Sequence, residues 1–214
     1  MAPLTHTVDP KLIVRDPAKM LAQARAEWHT RTRGQAPARR ELWVFGYASL
    51  IWRPEFDAAE RRAATVFGWH RAFRMRSRVN RGNAEVPGLV FALMPGGSCH
   101  GMVYRLKPAQ AEAELDRLWA REMPTGVYDP RWLACRTSHG AVPALAFTLG
   151  RRSDNHMGRI DDAQMLHILR HASGRYGRTL DYLADTALSL REHGLHDREI
   201  ERLMALARRH GLLR

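Results

Sequence analysis

Cysteine is nearly absent from this chain: Cys99 and Cys135 are the only two in 214 residues. They stand far apart and form no C-x-x-C, which excludes a thiolate zinc cluster and argues against a disulfide scaffold. Lysine is scarcer than the charge implies. Lys11, Lys19 and Lys107 are the only lysines among 34 Lys and Arg, so the formal net charge of +12 rests on arginine. The arginines fall in scattered pairs (Arg39-Arg40, Arg61-Arg62, Arg151-Arg152, Arg208-Arg209) and not in a basic run interleaved with aromatics. A nucleic-acid partner is therefore not expected, whereas a positive surface that draws in small anions is. No apolar run approaches the ~20 residues that cross a bilayer, so no membrane partner is expected either. The eleven histidines show no H-E-x-x-H or other tight ligand spacing, and no metal site is expected. Gly46, Gly82, Gly97 and Gly101 form neither a phosphate loop nor a dinucleotide fingerprint. Asp9 and Asp16 interrupt an N-terminus with no apolar core of signal-peptide length, which gives the expectation of a soluble cytoplasmic protein.

What is present fits one domain with an extension. Residues 1–41 read as a helical extension and linker: Asp16-Pro17 is a cap followed by proline, a short helix follows, and "RTRGQAPARR" is a polar connection. Residues 42–214 read as a single domain. From Leu42 to about Gly150 the chain carries strand-length segments, "LWVFGY", "ATVFGWHRAF", "GLVFALM", "GMVYRL", "WLACRTS" and "VPALAFTL". Turn signals at Arg81-Gly82-Asn83 and Pro95-Gly96-Gly97 separate several of them. One helix, opened by Pro108 and closed by Pro124, interrupts the series. After Gly150 three helices are expected, with Asp161 or Asp162, Thr179 and Asp197 as caps. The last carries Ile200, Leu203, Met204 and Ala207 as an ordinary core stripe. The class is α+β, a small β-rich centre or barrel with helices packed on it.

Two places break the ordinary pattern. In "LWVFGYASLIW" the most hydrophobic segment is interrupted by Gly46-Tyr47-Ala48-Ser49, either a tight bend in the core or a loop whose bare amides face a ligand. On the Pro108 helix, Leu115, Leu118 and Trp119 are spaced i, i+3, i+4, and position i+7 is Glu122, a carboxylate where Leu belongs. Desolvation and the negative end of the helix would both raise its pKa, as a general base or acid near neutrality needs. A frayed last turn or an Arg partner is the plainer alternative. The loop "REMPTGVYDPRW" that follows could place Tyr128 and Trp132 beside it, or be a rigid surface turn. Ser49 has no nucleophile-elbow context, and His70 and His100 have no adjacent carboxylate, so they read as structural.

Taken in order, "WVFGYASLIWRP", "GWHRAF", "RGNAEVPG", "GMVYRL", "LWAREMPTGVYDPRW" and "SGRYGRTLDYL" resemble the ChaC-like family of γ-glutamylcyclotransferases over Leu42 to about Leu183. The resemblance implies that family's small β-barrel with flanking helices, and release of 5-oxoproline and Cys-Gly from glutathione without metal or cofactor. It implies Glu122 as the catalytic carboxylate and the backbone of Val44, Phe45, Gly46, Tyr47, Ala48, Ser49 and Leu50 as the substrate-binding loop. By motif position, Arg81, Tyr128 and Tyr182 are further substrate contacts. Three departures stand out: Ala48 replaces a family Gly, Thr179 replaces a usual Asn, and "RMRSRVN" between Phe73 and Arg81 stands where some members carry a more polar, Asp-containing segment. Other γ-glutamyl peptides or amines as substrates, and a weakly active γ-glutamyl-binding protein disabled at Ala48, stay open here, as does the oligomeric state.

Overall fold

The computed structural model describes residues 15–213. The reading of the N-terminus for a signal sequence, which turns on Asp9, lies outside them. In chain order the elements are α1 (Pro17–Arg31), β1 (Trp43–Gly46), α2 (Ser49–Trp52), β2 (Ala58–Ser77), β3 (Gly88–Leu106), α3 (Ala111–Glu122), β4 (Asp129–Thr137), β5 (Gly140–Thr148), α4 (Asp162–His171), a hairpin of β6 (Ser173–Gly174) and β7 (Gly177–Arg178), α5 (Thr179–Glu192) and α6 (Arg198–Arg209).

The five long strands close into a barrel in the order β1-β3-β2-β4-β5. Neighbours are antiparallel except at the seam, where β1 runs parallel to β5 with Trp43 opposite Ala144 and Val44 opposite Leu145. The seam explains why "LWVFG" shows no polar alternation. Trp43 and Phe45 pack into the core shared with α4, α5 and α6, while Leu42 and Val44 face the second core, shared with α1 and α3. A strand covered on both faces has no solvent side to mark with polar residues. Each large side chain so buried contributes about 1.5–3 kcal/mol of transfer free energy.

Three helices start where their caps predict. The Asp16 carboxylate accepts from the amides of Ala18 and Lys19, Asp161 forms a reciprocal capping box with Gln164, and Asp197 accepts from the amides of Glu199 and Ile200. Thr179 is a correction. The cap of α5 is Arg178, and Thr179 is the first helical residue, fully buried, its hydroxyl donating to the Arg81 carbonyl at 2.8 Å and accepting from the Leu89 amide at 3.2 Å.

Pro95-Gly96-Gly97 is a second correction. It is a bend inside one continuous strand, not a turn between two. Gly96 and Gly97 take φ 109° and 70°, Gly68 across from them takes φ 80°, and the β2–β3 register slips between Phe67 and Trp69. Positive φ on both strands at one level makes a bulge and a kink, after which pairing resumes.

The N-terminal helix is packed, not merely appended. Ala24 and Trp28 enter the second core, and the Trp119 indole donates to the Pro17 carbonyl at 2.8 Å. Just before it, Arg15 donates to the carbonyls of Val127 at 3.2 Å and Tyr128 at 2.9 Å and pairs with Asp129.

Candidate active site

The β1–α2 loop, the end of α3, the loop after it, β3, β5 and α5 converge on one cleft. Tyr47, Ala48, Ser49, Leu50, Phe91, Glu122, Tyr128, Phe147 and Tyr182 line it around about 290 Å³ of empty space open to solvent.

Glu122 enters from the last turn of α3. Leu115, Leu118 and Trp119 are buried as the spacing predicted. The turn is closed, because the Met123 amide donates to the Trp119 carbonyl at 2.8 Å before Pro124 ends the helix. Its side chain is only 14% exposed, and Arg121 Nε lies 3.0 Å from Oε1. Burial pushes the Glu122 carboxyl above its ordinary value; the Arg121 charge and hydrogen bond pull against that, and Glu55 adds to the rise. The Arg alternative raised by the sequence is thus present, yet it does not cancel desolvation. Arg121 is itself shared: Nη1 lies 3.1 Å from Glu55 Oε2, Nη2 donates to the Ser49 hydroxyl at 3.4 Å, and Nη1 also donates to the Arg53 carbonyl. Glu55 is the one non-glycine with positive φ among the described residues, at 56°.

Three phenols surround this carboxylate. Tyr47 donates to the Phe147 carbonyl at 2.9 Å, and the Tyr182 hydroxyl accepts from the Phe91 amide at 3.3 Å. Burial raises the pKa of Tyr47, Tyr128 and Tyr182, and the Glu122 charge adds to the rise in each. All three are neutral donors at physiological pH. Tyr182 is held by Phe73 stacked at 6.3 Å and 11°, and by the Trp52 ring edge-on at 6.3 Å.

Among the residues singled out from the sequence, Glu122, Tyr47, Ala48, Ser49, Leu50, Tyr128 and Tyr182 come together. Val44 and Phe45 do not present side chains there; both are fully buried in the two cores. Gly46 lies behind the cleft, where a Cβ would stand 3.1 Å from Leu50 Cβ and from the Tyr104 ring. Arg81 does not line the cleft. Its guanidinium lies 5.2 Å from the Tyr182 ring centroid and donates to the Arg178 carbonyl at 3.5 Å, so it backs Tyr182. Ala48 has φ −149°, outside the left-handed region that would require glycine, so the departure from a family Gly brings no positive-φ strain; Ala48 lines the cleft wall. Its amide and those of Ser49 and Leu50 precede the first turn's opening bond, Ile51 N–H to Ala48 O at 2.8 Å. Phe91, Phe147, Arg71 and Arg121 escaped the sequence reading. The first two are ordinary strand aromatics, whereas Arg121 stands beside Glu122 and Arg71 lies within "GWHRAF". Among the described residues, no three His, Cys, Asp or Glu are grouped to hold a metal ion, and no helix is long and apolar enough to cross a membrane.

The model of the ChaC-like protein family matches residues 42–210. The chain belongs to the ChaC-like family. This ChaC-like chain is 35% identical over 177 residues to the glutathione-specific γ-glutamylcyclotransferase of Escherichia coli K12, covering 82% of this chain and 77% of that protein. It is 29% identical over 147 residues to glutathione-specific γ-glutamylcyclotransferase 1 of Homo sapiens, covering 66% of each. In fold it is similar to the crystal structure of a γ-glutamyl cyclotransferase specific to glutathione from yeast, with a TM-score of 0.70 at 19% identity over 79% of this chain and 96% of that one. The ChaC-like match begins at residue 42, one position before the first barrel strand, and it leaves α1 outside.

Proposed function

We propose that this ChaC-like protein is a glutathione-specific γ-glutamylcyclotransferase in which Glu122 is the general base and acid. The family membership and the E. coli relative support the reaction. The observation that carries the residue assignment is a single buried carboxylate with a raised pKa at the centre of a cleft otherwise lined by neutral phenols, aromatics and a small-residue loop. Glutathione's own α-amine attacks its γ-glutamyl carbonyl, a five-membered ring closes, and the bond to the cysteinyl nitrogen breaks. Nucleophile and electrophile lie in one molecule, so folding the substrate and holding it supplies much of the rate, up to about 7–11 kcal/mol in favourable cases. The amine arrives mostly as ammonium and sheds two protons, one before attack and one after it to become the lactam N–H, while the departing nitrogen gains two and leaves as ammonium. Glu122 carries each in turn, so the proton balance closes on one group. The amides around Ala48 hold the glutamyl carboxylate or the developing oxyanion, which requires small residues and close approach of backbone.

The test is 5-oxoproline release from glutathione by the purified chain with chelator present, beside Glu122→Gln. Wild-type turnover with a fall of about 10²–10⁴ in kcat for the variant is the expected result. Unchanged turnover in the variant would remove Glu122 from the role. Equal or better use of γ-glutamyl-alanine would sink strict glutathione specificity.

A further inference from the structure

Arg71 is the most deeply buried guanidinium bound to the site's loop, with 1% of its side chain exposed. All three of its nitrogens are used. Nε donates to the carbonyl of Tyr47, Nη2 to the carbonyl of His100 at 2.5 Å, and Nη1 pairs with Asp197 Oδ2. Asp197 is equally committed: its other oxygen, Oδ1, caps α6 through the amides of Glu199 and Ile200, both at 3.1 Å. The position matters. The β1–β3 ladder ends with Gly46 opposite Met102, and Arg71 bonds the carbonyls of Tyr47 and His100 just beyond that last pair. It takes over where the strand leaves the sheet to enter the cleft.

We infer that Arg71 and Asp197 form a positioning pair, which sets the Tyr47–Ala48 peptide plane so that the Ala48 amide is presented to substrate. The inference rests on the proposed function, in which this loop's amides bind the γ-glutamyl group. The peptide unit is planar and trans, so its C=O and N–H point in opposite directions. Arg71 holds the Tyr47 oxygen towards β2 and β3; the Ala48 amide of the same plane therefore points away from them, on the residue whose methyl lines the cleft. Hydrogen bonds from a charged donor are the stronger kind, and a desolvated guanidinium left without its carboxylate is costly, so the plane has little freedom. The C-terminal helix thereby acts on the site from a residue 126 positions away from Arg71 in sequence and touches no substrate.

The experiment compares the full chain with Asp197→Asn and Asp197→Ser, both of which keep a good cap for α6 and remove the charge facing Arg71. Arg71→Lys, which cannot reach all three acceptors at once, is a third variant. KM and kcat for 5-oxoproline release from glutathione are measured below each variant's melting midpoint, with the pH profile of kcat. The expected result is a rise of about tenfold in KM, with or without a fall in kcat, and a pH profile that keeps the wild-type inflection because Glu122 is untouched. Folded variants with wild-type KM and kcat overturn the positioning role. So does loss of folding in all three, which makes the pair a structural bolt. No release of 5-oxoproline by the wild type refutes the functional reading instead, and the positioning role falls with it.

Discussion

At the scale of the residue, Glu122 is held where its charge is least welcome. Its carboxyl binds a proton more tightly in the folded chain than in the unfolded one, because burial outweighs the neighbouring Arg121. Between the two pKa values the native state holds the extra proton, so stability falls as pH rises through that window and is fully regained below the unfolded value. In the proposed role the working form is the ionised one, present above the raised pKa, so function and stability would pull in opposite directions. Glu122→Gln removes the penalty. It is expected to shift the urea midpoint upwards at about pH 8 and to match the wild type at about pH 3, where both states are protonated. A variant less stable than wild type at the higher pH would mean that the Arg121 pair dominates. This residue was legible because a helix has a fixed period: three apolar positions named the face, and the fourth was acidic. Phe91 and Phe147 were not. Strands buried on both faces show no alternation, so a single sequence does not say which side of the barrel wall each aromatic takes.

At the scale of the element, the β2–β3 connection and the β6–β7 hairpin are pressed together with no room for side chains. A Cβ on Gly88 would stand 2.1 Å from the Arg81 carbonyl oxygen and 2.3 Å from Thr179 Oγ1; one on Gly174 would stand 2.5 Å from the Val79 carbonyl oxygen. The motifs "RGNAEVPG" and "SGRYGRTLDYL", distant in sequence, are two halves of one contact that seats α5 and hence Tyr182. Gly88→Ala is expected to lose at least about 1–3 kcal/mol by overpacking, read from denaturant melts, with a higher KM because Tyr182 shifts. A variant of wild-type stability would show that the contact yields freely. Helix starts were legible at Asp16, Asp161 and Asp197, since a carboxylate ahead of an apolar period has few other uses. Thr179 carried the same signature and was misread. Its hydroxyl is spent on the Arg81 carbonyl and the Leu89 amide, a tertiary contact that no local pattern displays. Pro95-Gly96-Gly97 failed for a related reason: positive φ bends a paired strand as readily as it ends one, and the partner Gly68 lies 28 residues away from Gly96.

At the scale of the whole molecule, the barrel class followed from many short β-rich segments, while its closure did not, because pairing between distant strands leaves no local trace. That closure has a kinetic consequence. The β2–β3 hairpin and the capped helices need only nearby partners, but the parallel seam joins Trp43 to Ala144, and the Tyr47 hydroxyl meets the Phe147 carbonyl across 100 residues. Contacts of such separation pay their loop-closure entropy before they return any stabilisation, and they form late. The cleft spans this seam, so no partly folded form of the chain carries a working site. On dilution from denaturant, far-UV circular dichroism is expected to recover ahead of 5-oxoproline release, with activity returning in the slowest phase. Activity that returned together with the first helical signal would place seam closure early. In a cell making the chain from its N-terminus, β1 waits with one edge unpaired until β5 has been synthesised and with its Trp43–Phe45 face bare until α4, α5 and α6 follow, and for that interval its apolar run is the part of the nascent protein most in need of cover.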